Sequence, residues 1–170
     1  MKTIGFAGSN SSSSINHQLL VYAMRSLENS EIIKLTDYSV PMFSEDLEKT
    51  EGIPQSIKNL DTKLLEANKL IISVSEHNGN ITAFFKNILD WLSRNNREFL
   101  NDKQIVILST SPGEGGGKMA LTITEKTLPK FGAKVVGKSS VKGFYDIFKN
   151  GEIIDQELNS QLTKAINSFS

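Results

Sequence analysis

Three segments of the chain gather residue types that chemistry needs. Residues 8–16 read Gly-Ser-Asn-Ser-Ser-Ser-Ser-Ile-Asn, with five serines where the flanking pattern predicts a strand running into a helix. The first N–H groups of a helix lack intrahelical acceptors and carry partial positive charge, which favours a phosphate. Serine hydroxyls donate to the same oxygens. One Ser or Asn suffices to cap a helix, so five point to an anion site. Residues 75–82 read Ser-Glu-His-Asn-Gly-Asn-Ile-Thr. Asn78 and Gly79 tolerate positive φ and bring bare backbone close to whatever lies above them. Glu76 beside His77 is a weak signal of acid–base work, and His77 reads better as an aromatic wall against a planar ligand. Residues 109–118 read Ser-Thr-Ser-Pro-Gly-Glu-Gly-Gly-Gly-Lys, with four glycines in five positions. So many glycines are entropically costly in a mere connector. Beside the other two segments, they suggest a flat ligand approaching the backbone. The stretch 113–118 falls one residue short of P-loop spacing, and Met119 stands where a magnesium-binding hydroxyl would be.

These segments sit between short apolar runs at 3–7, 32–35, 70–74, 104–108 and 134–136, rich in Ile and Val and without alternation. Strands buried on both faces read this way. Helical stripes lie between them: Ile15, Leu19, Leu20, Ala23, Met24 and Leu27 in the first, Ile57, Leu60 and Leu64 after Pro54, and Ile81 to Leu92 in the third. Ala120 to Phe131 makes another, in which Pro129 should break or kink the last turn, and Leu158 to Phe169 the last. Asn150-Gly151 signals a hairpin before that final helix. Strands alternating with helices mean an α/β domain. Five strands fit a flavodoxin-like three-layer sandwich, a parallel sheet of order 2-1-3-4-5 with helices on both faces. Ligands of such sheets bind beyond the carboxyl ends of the strands, at the switch point. That rule selects the loops after the first, third and fourth strands, which are the three segments above. A phosphate cradle beside backbone-lined slots describes a site for a phosphorylated planar cofactor, and FMN has that shape.

Composition narrows the functions further. The 170 residues suit a single domain, 1–170, able to bury roughly 70% of its unfolded surface. The chain has no Cys, which removes disulfides, thiolate metal sites and thiol nucleophiles together. Redox chemistry would then need a cofactor. Nineteen Lys and Arg balance nineteen Asp and Glu, against a nucleic-acid partner. No apolar run approaches the roughly 20 residues of a membrane span, and no signal peptide is visible, so a cytoplasmic protein is expected.

Over nearly its whole length the chain resembles the NAD(P)H-dependent FMN reductases of the flavodoxin-like fold, a group with azoreductase, quinone reductase and chromate reductase members. The family's Gly-Ser-x-Arg-x-x-Ser-x-Asn is matched by Gly8, Ser9, Ser14 and Asn16. Its Pro-Glu-Tyr-Asn-Gly-Ser-Ile is matched by residues 75–81, and its Lys-Asn-x-x-Asp-Trp by Lys86, Asn87, Asp90 and Trp91. Its Ser-x-Ser-Pro-Gly segment is matched from Ser109 into the glycines, and Pro41 to Leu47 is similar to the segment after strand 2. The resemblance implies that Ser9, Ser11, Ser14, Ile15 and Asn16 surround the FMN phosphate. It implies that Glu76, His77, Asn78 and Gly79 lie along the ribityl chain and ring, and that Ser111, Gly113, Gly115 and Gly116 bracket the ring's other side. It implies NADPH or NADH as co-substrate, a small-molecule electron acceptor, no catalytic side chain, and a homodimer or homotetramer with contacts through the helix of Lys86, Asp90 and Trp91. Trp91 falls off that helix's core-facing stripe, which reads either as a subunit contact or as an indole covered by its own chain. The chain departs from the family at Ser11, where the family has Arg, at His77, where it has Tyr, and at Ser75, where it has Pro. A lost charge-assisted contact corresponds to about 1.5–3 kcal/mol of binding. Two other readings are an electron-transfer module like flavodoxin, which zero net charge disfavours, and a flavin-binding module without activity.

Overall fold

A computed structural model describes residues 1–169. Its elements are β1 (Thr3–Gly8), α1 (Ile15–Met24), β2 (Ser30–Ile32), α2 (Glu45–Glu51), α3 (Gln55–Leu65), β3 (Lys69–Val74), β4 (Glu76–His77), β5 (Asn80–Ile81), α4 (Ala83–Asn95), β6 (Gln104–Thr110), α5 (Lys118–Thr127), β7 (Lys134–Val141), α6 (Phe144–Ile147), β8 (Phe148–Lys149), β9 (Glu152–Ile153) and α7 (Gln156–Ile166). Short 3-10 turns cover Leu35–Asp37 and Leu128–Phe131. The five long strands form one sheet of order β2-β1-β3-β6-β7, every pair parallel. That is the expected order, with β6 and β7 as its fourth and fifth strands.

The Ile- and Val-rich runs lack alternation because both faces of the sheet are covered. Leu70, Ile72, Ile105 and Ile107 point into one core with α3, α4 and α5. Ile71, Val106 and Leu108 point into the other with α1, α6 and α7. Helices α4 and α5 therefore lie on one face and α1 on the other. The crossovers reverse between β1 and β3, which opens the switch point there.

The central strands depart from the sequence reading by one or two residues at an end, and the largest differences are at the sheet edges. β2 ends at Ile32, and Leu35 opens a 3-10 turn while staying buried. β7 runs on to Val141 through Lys138, Ser139 and Ser140. An edge strand has one neighbour and tolerates polar residues, so hydrophobicity marks its ends poorly. Pro129 does break that last turn, ending α5 at Thr127, and Asn150-Gly151 does turn the β8–β9 hairpin. Trp91 is not a subunit contact awaiting a partner. It is fully buried, its Nε1 donates to the Pro41 carbonyl at 2.8 Å, and it meets Phe43 edge-on at 5.0 Å. The segment after β2 covers it, a contact that helical periodicity alone does not reveal. Among the described residues no helix is long and apolar enough to cross a membrane.

Candidate functional site

The three unusual loops meet at the carboxyl edge of the sheet, and Asn16 ties two of them together. Its side chain is buried, 2% exposed. Its Oδ1 accepts from Ser73 Oγ and from the Thr110 N–H, each at 3.0 Å, and its Nδ2 donates to the Thr110 carbonyl at 3.1 Å. One amide thus joins the start of α1 to β3 and to the end of β6. This side chain faces the protein, so Asn16 has its backbone N–H, and not its amide, to offer a phosphate.

Above Asn16 the serine loop folds on itself. Ser9 Oγ accepts from the Ser11 N–H, and Ser11 Oγ accepts from the Ser13 N–H. Ser14 is the N-cap of α1, its Oγ accepting from the His17 N–H at 3.2 Å. One serine of five therefore caps, as any helix requires. The N–H groups of Ile15 and Asn16, at the first two helical positions, have no acceptor within the helix. This loop lines a cavity of about 380 Å³ with His17 from α1 and with residues 33–37 from the segment leaving β2. Burial, and then the ammonium of Lys34, hold the His17 imidazole below its usual pKa. His17 and Lys34 were not picked out from the sequence. Both lie outside the serine run, and only the fold sets the end of β2 against it.

Residues 76–81 form the small β4–β5 hairpin, pairing Glu76 with Ile81 and His77 with Asn80. Asn78 and Gly79 turn it with φ of 51° and 72°. His77, Asn78 and Gly79 are exposed at the tip. Glu76 behaves differently from the expectation. Its Oε2 accepts from the N–H groups of Met119 and Ala120, at 2.9 and 3.1 Å, so its carboxylate caps α5 from another element. Side chains of this kind at a helix start contribute about 1 kcal/mol. Glu76→Ala should lower the melting temperature by roughly 2–4 °C in a thermal melt, whereas a ligand-only role for Glu76 would leave the ligand-free melt unchanged. The capped N-terminus also closes α5 to a phosphate, in keeping with the failed P-loop spacing of residues 113–118.

The glycine loop divides into two kinds of glycine. Gly113 and Gly115 are exposed, and a Cβ built on either meets nothing within 4 Å, as at Gly79. Gly116 is buried at φ of 59°, and a Cβ there would overlap Ser140 Oγ. Its carbonyl accepts from Ser109 Oγ at 2.8 Å and Ser140 Oγ at 2.9 Å. Gly116 is thus required by the approach of β6 and β7, and the expectation that it borders a ligand is corrected. Ser111 Oγ donates to the Gly113 carbonyl at 3.1 Å, and the carbonyls of Ser111 and Gly113 receive the N–H groups of Phe144 and Gly143. Both ends of the loop are anchored, and its middle faces open space.

The donor set fits a phosphorylated planar group. Hydroxyls, unbonded helix-start amides, the Lys34 ammonium and the His17 imidazole stand on one side, and glycines with vacant Cβ positions stand on the other. Such glycines admit a ring face that side chains would block. No group of three or more His, Asp or Glu among the described residues is placed to hold a metal ion.

Comparison with known proteins agrees with this geometry. The chain is 37% identical over 144 residues to an uncharacterised protein of Mycoplasma pneumoniae, covering 82% of this chain and 86% of that one. It is 28% identical over 153 residues to the quinone reductase of Escherichia coli, covering 86% and 79%. Its fold superposes on the flavoenzyme NAD(P)H:(acceptor) oxidoreductase FerB of Paracoccus denitrificans with a TM-score of 0.83 at 20% identity, covering 99% and 95%. Residues 1–145 match the profile of the NADPH-dependent FMN reductases. The chain belongs to that family, an oxidoreductase that works with FMN and NAD(P)H.

Proposed function

We propose that residues 8–16 hold the phosphate of FMN while the β4–β5 hairpin and residues 111–115 flank its ring. NADPH or NADH is the electron source, and a quinone, azo dye, free flavin or metal ion is the acceptor. The observation that carries this reading is the pairing of unbonded amides at the start of α1 with the vacant Cβ positions of Gly79, Gly113 and Gly115. FMN, when bound, supplies the group that takes a hydride from nicotinamide and returns electrons to the acceptor. The chain's own task is to orient and to exclude. Ser9, Ser11 and Ser14 shape the phosphate loop, and the N–H groups of Ile15 and Asn16 donate into it. His77 stands at the hairpin tip as a wall, and Asn78 and Gly79 offer bare backbone to the ribityl chain and ring. Glu76 and Asn16 act from behind, holding the loops at fixed spacing. No side chain is asked to move a proton. The likeness to the E. coli quinone reductase supports a quinone as acceptor.

Residues 1–170 act on this reading as one domain in the cytoplasm, where the NAD(P)H pool lies. The homodimer or homotetramer implied by the family resemblance predicts two or four times the 18.8 kDa chain mass in light scattering. Reconstituted with FMN, the protein should oxidise NADPH or NADH when a quinone, dye, flavin or ferric acceptor is added. No turnover with any acceptor class would sink the reading and leave the flavin-binding module without activity. Rapid turnover confined to a protein redox partner would favour the flavodoxin-like alternative.

A further inference from the structure

The cavity beside the serine loop has charge on one wall only. The serine wall carries none. Facing it are Lys34 and Asp37 from the segment after β2, with His17 rising from the first turn of α1. Lys34 is exposed, and its ammonium makes no hydrogen bond or ion pair with any described residue. That contrasts with Lys2 and Lys63, both bridged to Glu31 and Glu66. Lys34 also leaves Asp37 unpaired, three residues away. Its positive charge instead reaches His17 and opposes protonation there. A lysine without a partner that also opposes protonation of the neighbouring imidazole contributes nothing to the stability of the empty site. An anion between them turns both contacts favourable.

We propose that Lys34, assisted by His17, supplies the positive charge that holds the flavin's phosphate in this cavity. The role falls to the β2 side because Ser11 brings no charge from the loop. The inference rests on the reading that residues 8–16 take that phosphate. Serine hydroxyls and the amides of Ile15 and Asn16 give direction, and Lys34 gives charge. His17 adds a proton linkage. In the ligand-free protein, burial and Lys34 keep the imidazole neutral near pH 7. A phosphate dianion reverses the local field and raises the imidazole's pKa, so binding takes up a proton. Affinity then rises as pH falls through that raised pKa towards the lowered one of the ligand-free imidazole. The charged groups lining the cavity besides His17 are Lys34, which opposes the uptake, and Asp37, which favours it. The phosphate's own second ionisation near pH 6 sets the lower limit of the useful window.

Flavin titrations of the full chain, with FMN and riboflavin side by side, test this. The wild type should bind FMN more tightly than riboflavin, which lacks the phosphate. Lys34→Ala should weaken FMN binding by roughly 10- to 100-fold and leave riboflavin binding unchanged, while Lys34→Arg retains most of the affinity. Because Lys34 is exposed and unbonded, the Lys34→Ala melting curve should superpose on the wild type. Between about pH 8.5 and 6.5, wild-type affinity for FMN should increase, and His17→Gln should flatten that slope. If Lys34→Ala binds FMN as the wild type does, the proposal falls. The flavin reading survives that result as long as FMN still outcompetes riboflavin. A wild type that binds neither flavin overturns both, and an unchanged slope in His17→Gln overturns the part given to His17.

Discussion

Asn16→Ala should destabilise the protein by about 3 kcal/mol. The side chain makes three buried hydrogen bonds, at 3.0, 3.0 and 3.1 Å, and each is worth about 1 kcal/mol net. Its loss also leaves the Thr110 N–H and carbonyl without partners in a site that excludes water, which keeps the penalty from being softened. For a chain of this length the melting temperature should fall by roughly 6–12 °C. Asn16→Asp separates the bonds. The acceptor half survives, but the donor to the Thr110 carbonyl becomes an oxygen facing an oxygen, with a charge added under burial. Asp should therefore be no better than Ala despite its matching shape. Both variants should also lose flavin affinity, since the end of β6 and the start of α1 no longer keep their spacing. Thermal melts by circular dichroism check the stability claim. An Asn16→Ala variant that melts within about 2 °C of wild type would show that the amide faces a ligand or water instead.

How far such roles could be read from the sequence depends on whether the cause was local. The three central strands are legible because burial on both faces writes Ile and Val into them directly, as in Leu70 to Val74. The convergence of the three loops is legible because strand order fixes which loops meet. What escaped has causes at long range. Asn16 lies in a motif that reads as phosphate binding, yet its bonds run to Thr110, 94 residues away. Glu76 caps a helix that starts 42 residues on. Trp91 reads equally as a subunit contact or as an indole covered by its own chain, and only the folded segment of Pro41 and Phe43 decides for the second. Lys34 sits in the run 32–35, taken as strand, and has significance only because the end of β2 borders the serine loop. Each residue type was visible in the sequence; its neighbour was not.

Gly115 and Gly116 sharpen this lesson into a second test, because adjacent glycines should fail in opposite ways. Gly115 has negative φ and open space where a Cβ would go. Gly115→Ala removes unfolded-state entropy without native strain, so stability should hold or rise by about 0.4–1 kcal/mol. Its methyl group would stand in the slot reserved for the ring, so FMN affinity should drop by roughly tenfold or more, about 1.4 kcal/mol in an equilibrium constant. Gly116 has φ of 59°, and a methyl there would overlap Ser140 Oγ. Strain at positive φ adds about 1–2 kcal/mol, and overpacking adds about 1–3 kcal/mol. Gly116→Ala should thus lower the melting temperature by roughly 4–20 °C. Adding Ser140→Ala to it relieves the clash but not the φ strain, so the double variant should recover only part of the loss. Melting curves and FMN titrations on the same samples read both effects. A Gly115→Ala variant that binds FMN normally would remove this loop from the flavin site. A Gly116→Ala variant as stable as wild type would mean that the backbone rotates out of its left-handed conformation, and that the two hydroxyls on its carbonyl do not hold it there.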